Sequence, residues 1–105
     1  MSVRPPAECE NMEQVRAEID RLDAAILDLV AERFGYVDRA WQLKTHRAEA
    51  VVPWRIQQVI DRVRARADER GIPPELAEAL WRQMIGWFIQ YEEERLSKQP
   101  PEGKV

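Results

Sequence analysis

The chain has 105 residues, of which 45% are apolar, with a formal charge of −3 and a single cysteine. This length supports one domain with a modest core, the near-balanced charge argues against a nucleic-acid partner, and one thiol without a His/Cys cluster excludes an internal disulfide and a zinc site. The start MSVRPPAECE lacks an apolar signal core, and no apolar run approaches the roughly 20 residues of a membrane span, so a soluble, cytoplasmic protein without a membrane partner is expected.

Asn11, followed three residues later by Gln14, resembles a capping box, which places the start of the first helix near Met12. No proline follows until Pro53, and the only glycine on the way is Gly35. The first helix is therefore predicted to run to about Arg47, roughly 50 Å at about 1.5 Å per residue. A compact domain of this size has a radius of gyration of about 13 Å. Such a helix outreaches its own chain and needs a partner, most economically a second copy.

Residues 46–53 read as a loop, because Pro53 disfavours helix just before it and is suited to a first turn. The second helix carries Ile56, Val59, Ile60, Val63 and Ala67 on one face and is closed by Gly71 as a C-cap. Ile72, Pro73 and Pro74 form a short connection. The third helix, about 75–97, is apolar over a wide arc of Leu76, Leu80, Trp81, Met84, Ile85, Trp87, Phe88, Ile89 and Tyr91, which is expected to touch more than one neighbour. No strand pattern competes. The expected fold is all-α, three helices with one very long first helix in an intertwined dimer, residues 1–105 forming one domain with mobile ends at 1–10 and 98–105.

The seam of the first helix is Val15, Ile19, Leu22, Ile26, Leu29, Val37 and Ala40, recurring at steps of three and four. Arg33 and Lys44 stand on this stripe where apolar residues are expected. They lie within roughly 20° of one face and about 16 Å apart along the axis, so long side chains can converge on one ligand between them. Removing water from a cation costs several kcal/mol that only a counter-charge offsets, so the two either meet an anionic ligand or snorkel and pair with acids.

Arg16 lies one residue off the seam and about 25 Å from Arg33. It reads as a solvated arginine unless an antiparallel partner delivers it. Arg55 opposes the macrodipole at the start of the second helix. Glu92 falls on the stripe Ile85, Ile89 and Leu96. Among apolar neighbours it is expected either to keep its proton and donate a hydrogen bond, or to pair with Arg95. His46 has no nucleophile beside it, Cys9 reads as an inert thiol, and Trp41, Trp54, Trp81 and Trp87 read as core and interface filler.

The run VRAEIDRLDAAILDLVAERFGYVDRAWQLK, the VPWR that follows, the glycine-terminated second helix and the aromatic third helix together resemble the all-helical chorismate mutase family. The resemblance covers residues 6–96, starts from Pro6 and Cys9, and includes an R-x-x-I-D-x-x-D signature at Arg16, Ile19, Asp20 and Asp23. It looks closest to the branch that includes the bacterial isochorismate pyruvate lyase of salicylate synthesis.

This resemblance implies an intertwined homodimer with two active sites. Arg16 is then expected to enter the other protomer's site and bind a substrate carboxylate, with Arg33 binding a carboxylate in its own chain's site. Lys44 is expected to contact a carboxylate and the ether oxygen whose bond breaks, and Arg55 to sit over the site. Many family mutases carry acids where this chain has Val52 and Ile56, and the lyase branch lacks them too. Val52, Ile56 and Ile89 are expected to line the substrate, while Glu92 takes the place of a glutamine that donates to the ether oxygen in many members.

The implied reaction is pericyclic, with Lys44, Glu92 and Arg33 catalytic and neither cofactor nor metal. Isochorismate would give salicylate and pyruvate, or chorismate would give prephenate; both are dianions suited to cationic walls. The alternatives are a mutase for an amino-substituted chorismate and a non-catalytic regulatory helical dimer.

Overall fold

The computed structural model describes residues 3–44 and 52–98. A 3₁₀ turn, Pro6–Glu8, precedes three helices, α1 (Met12–Leu43), α2 (Pro53–Glu69) and α3 (Pro74–Ser97), and no strand occurs among the described residues. The chain divides into two compact units, Met1–Tyr36 and Val37–Val105.

In the first unit, Asn11 Oδ1 accepts from the Gln14 amide at 2.9 Å and so caps α1. The return bond differs from the expected box. Gln14 Oε1 accepts at 2.7 Å from the amide of Glu10 rather than that of Asn11. The segment expected to be a mobile end thus contributes a turn, closed by the Glu8 amide on the Pro5 carbonyl at 2.9 Å, and part of the cap; residues 1–2 and 99–105 lie outside the described residues.

The seam of α1 is formed but not filled by the chain itself. Ile19, Leu22, Ile26 and Leu29 are 47% to 65% exposed, and no residue of α1 is buried. The helix also ends earlier than the expected Arg47. Leu43 is its last residue, and the Lys44 amide closes the end on the Trp41 carbonyl at 3.2 Å, an i to i+3 bond of the kind that tightens a last turn. The predicted loop up to Val51, with His46, lies outside the described residues.

In the second unit, α2 packs on α3. Pro53 and Pro74 each open a helix, where a missing amide hydrogen is not needed. The stop after α2 is the expected one. Gly71 has φ 73°, the left-handed region that a side chain disfavours. The Ile72 amide reaches back to the Ala67 carbonyl at 2.9 Å, and the Gly71 amide to Asp68 at 3.2 Å. This pair of bonds satisfies carbonyls that the helix end leaves open.

Ile60 and Ala67 from α2, with Ala77, Phe88 and Leu96 from α3, are the buried apolar residues. Beside them Glu78 accepts from Arg64 of α2 and from Arg82, each at 2.7 Å. Those two guanidiniums, Arg82 foremost, hold its carboxyl below the usual carboxylate range.

The tryptophans, expected as core and interface filler, divide by exposure. Trp54 and Trp87 are exposed, Trp41 and Trp81 are half-buried, and none belongs to the buried set. Leu76 and Leu80 are exposed as well, so the wide arc of α3 has one covered face and one open face.

Truncating Ile60, the one large side chain among the described residues that is fully buried, is expected to lower stability by about 2–5 kcal/mol. Urea unfolding of Ile60→Ala against the parent chain measures this.

Candidate active site

The buried face of α3 carries an acid. Glu92 lies one turn after Phe88 and one turn before Leu96, and all three are buried. A carboxylate on such a face is costly unless a counter-charge and hydrogen bonds meet it. Lys44, the first residue beyond α1, supplies both. Its Nζ lies 2.8 Å from Glu92 Oε2, with side-chain exposures of 22% for Lys44 and 9% for Glu92.

In this geometry Glu92 accepts from Lys44, and among the described residues it is not paired with Arg95, the other partner expected for it. Helix spacing offers Arg95, three residues on. That guanidinium instead lies over the Tyr91 ring at 4.9 Å, a cation–π contact. An ammonium has three protons to donate. Among the described residues Glu92 is the hydrogen-bond acceptor for Lys44, which leaves protons that an anionic ligand can take.

A second polar contact in the same unit was not anticipated. Asp38 Oδ1 accepts from the Trp41 indole N–H at 2.6 Å and from the Tyr91 hydroxyl at 2.7 Å. The bonds from Tyr91 and Trp41 hold the Asp38 carboxyl below its usual range, against a smaller opposing effect of burial. The same bond, with burial added, pushes the Tyr91 hydroxyl above the ordinary tyrosine range. The available signals were the i, i+3 spacing of Asp38 and Trp41 and the polar tip of Tyr91 on an otherwise apolar arc.

The other expected site residues fall as follows. Arg16 is exposed and Arg33 half-buried, both in the first unit. Val52, Arg55, Ile56 and Ile89 belong to the second. Val52 is extended at φ −125° and caps the start of α2, its carbonyl accepting from the Arg55 and Ile56 amides at 3.0 and 3.1 Å. Arg55 is exposed and donates to Gln58 Oε1 at 2.7 Å, a neutral partner. Val52, Ile56 and Ile89 are half-buried. Within the second unit, then, the expected residues brought into direct contact are Lys44 and Glu92.

The first unit carries an open hollow of about 440 Å³ beside the 3₁₀ turn, edged by Arg4, Glu8, Gln14 and Glu18. No expected site residue lines it. Among the described residues no group of three His, Cys, Asp or Glu is placed to hold a metal ion, and no helix is long and apolar enough to cross a membrane.

Residues 15–93 match the model of the chorismate mutase type II family. That span contains every residue expected at the site. The chain is also similar to an isochorismate pyruvate lyase of Pseudomonas aeruginosa, at 29% identity over 87 residues, which is 83% of this chain and 86% of that protein.

Breaking a buried ion pair by deleting one partner strands the other charge. Lys44→Met is expected to cost about 3 kcal/mol, the low end for such pairs because the lysine retains some contact with water. Adding Glu92→Gln removes the stranded charge and is expected to recover most of that loss. Urea unfolding of the two single variants and the double variant measures the coupling.

Proposed function

The chain belongs to the chorismate mutase type II family, and we propose that it is a cofactor-independent pericyclic enzyme acting on isochorismate or chorismate in a site shared between two copies of the chain. The observation that carries this reading is the Lys44 ammonium, largely withdrawn from water and 2.8 Å from a buried acid, inside the matched span. The match runs across both units, which supports reading residues 1–105 as one domain of this type.

The proposed ligand is a dianion, and the chain offers it four cations. Arg33 and Lys44 take carboxylates in the chain's own site, Arg16 reaches across from the other protomer, and Arg55 covers the site from the start of α2. Charge-assisted hydrogen bonds from guanidinium to carboxylate fix orientation as well as affinity. They fold the enolpyruvyl side chain over the ring, and holding that reactive conformer supplies much of the acceleration.

The ether oxygen gains negative charge as its bond to the ring breaks. Lys44 stabilises that charge. Glu92, in hydrogen-bond contact with that ammonium, stands at the position from which many family members donate to the same oxygen. With isochorismate, a ring hydrogen moves to the enolpyruvyl methylene as the C–O bond breaks, leaving salicylate and pyruvate. With chorismate, a carbon–carbon bond forms as the C–O bond breaks, giving prephenate.

Val52 and Ile56 favour isochorismate. They are half-buried apolar side chains at positions where many family mutases carry acids for the ring hydroxyl side. The similarity to an isochorismate pyruvate lyase of Pseudomonas aeruginosa supports the same reading.

Assays of the purified protein for salicylate from isochorismate and prephenate from chorismate test the function directly. Salicylate formation is the expected stronger activity, and turnover of neither substrate overturns the reading. The shared site makes a separate prediction. Arg16→Ala and Arg33→Ala are each expected to be inactive, and refolding the two together is expected to restore part of the activity, because one composite site of the heterodimer keeps both arginines. Heterodimers without activity would count against it.

A further inference from the structure

The bond between Asp38 and Tyr91 joins the same two stretches of chain as the bond between Lys44 and Glu92. Tyr91 immediately precedes Glu92 on α3. Asp38 precedes Lys44 by six residues, about 9 Å along a helix. The contact is braced on both sides. The Trp41 indole N–H, bonded to the same Asp38 oxygen at 2.6 Å, sets the direction of the carboxylate on α1. On α3, the Tyr91 ring is stacked on Trp87 with centroids 5.7 Å apart and planes 14° apart, and it carries the Arg95 guanidinium at 4.9 Å.

Lys44 needs such bracing. It stands just beyond the last residue of α1, where the helix no longer fixes the backbone through i to i+4 bonds. Its ammonium ends a flexible four-carbon stem. We propose that Asp38 and Tyr91 are positioning residues, which lock the end of α1 onto α3 and so set the register at which Lys44 Nζ meets Glu92. This rests on the reading of Lys44 and Glu92 as the catalytic pair. A misplacement of about 1 Å at a reacting group can cost about 100-fold in rate, so a tie six residues before Lys44, about 9 Å along the helix axis, matters to turnover without touching substrate.

Tyr91→Phe removes the hydroxyl, with its bonds to Asp38 and Arg95, and keeps the ring stacked on Trp87. It is expected to lower kcat by about 10- to 100-fold with little change in KM, and Asp38→Asn, which keeps an acceptor oxygen, by less. Asp38→Ala combined with Tyr91→Phe is expected to be no worse than Asp38→Ala alone, since the pair acts as one tie. A second readout is independent of turnover. The side-chain ammonium resonance of Lys44 in ¹⁵N–¹H spectra, assigned by its loss in Lys44→Met, is expected to shift or broaden in Tyr91→Phe. A folded Tyr91→Phe protein with unchanged kcat and an unchanged Lys44 resonance, altered only in melting temperature, would overturn the proposal by showing a purely structural tie. If Tyr91→Phe does not fold, Asp38→Asn carries both measurements to the same decision. A parent chain that turns over neither substrate would defeat the functional reading alone, and the Lys44 resonance would then decide the positioning claim.

Discussion

An acid on the buried face of a helix has to be met by a cation, and in this protein that requirement fixes what stands beside Glu92. The face is defined by Phe88 and Leu96, one turn to either side, so the carboxylate cannot turn to solvent without giving up the packing of α3 on α2. Lys44 answers it from the end of α1, across 48 residues of sequence. The contact joins Lys44 Nζ to Glu92 Oε2 at 2.8 Å, and an ammonium has two further protons to donate. The same desolvation that makes the contact costly to assemble strengthens any electrostatic interaction formed there.

The second constraint is the apolar stripe of α1. Ile19, Leu22, Ile26 and Leu29 repeat at helical spacing and are about half or more exposed. A contiguous apolar stripe of this kind marks an interaction surface. The intertwined dimer of the proposed function would cover it with a second copy of the chain and would carry Arg16 to the other protomer's site. Apolar cover and charge delivery would then be two outcomes of one packing arrangement. The exposed Leu76, Leu80 and Trp87 of α3 offer further apolar surface for an intermolecular contact.

Much of the fold was legible in the residues. The cap at Asn11, the stop at Gly71, the openings at Pro53 and Pro74 and the inner face of α2 at Ile60 and Ala67 all stand where spacing placed them. Each is set by neighbours within about one turn. The end of α1 at Leu43 was not legible, since no breaker stands in the sequence near it. Which tryptophans are exposed, Trp54 and Trp87, was not legible, because hydrophobicity alone cannot tell a core side chain from an open one. At the site, the cations were legible as charges on or beside an apolar seam. The partner of Glu92 was not, because Arg95 satisfied the local spacing equally well.

What the sequence by itself determined was therefore local and compositional: three helices, their caps, the apolar stripes and a set of cations whose spacing matches one family. Those features follow from helical periodicity and short-range hydrogen bonding, which neighbouring residues control. The tertiary structure alone decided that Lys44 rather than Arg95 meets Glu92, and that Asp38 meets Tyr91 across 53 residues. Such contacts depend on how helices pack, and the side chain that wins is the one whose reach and direction suit the packed geometry.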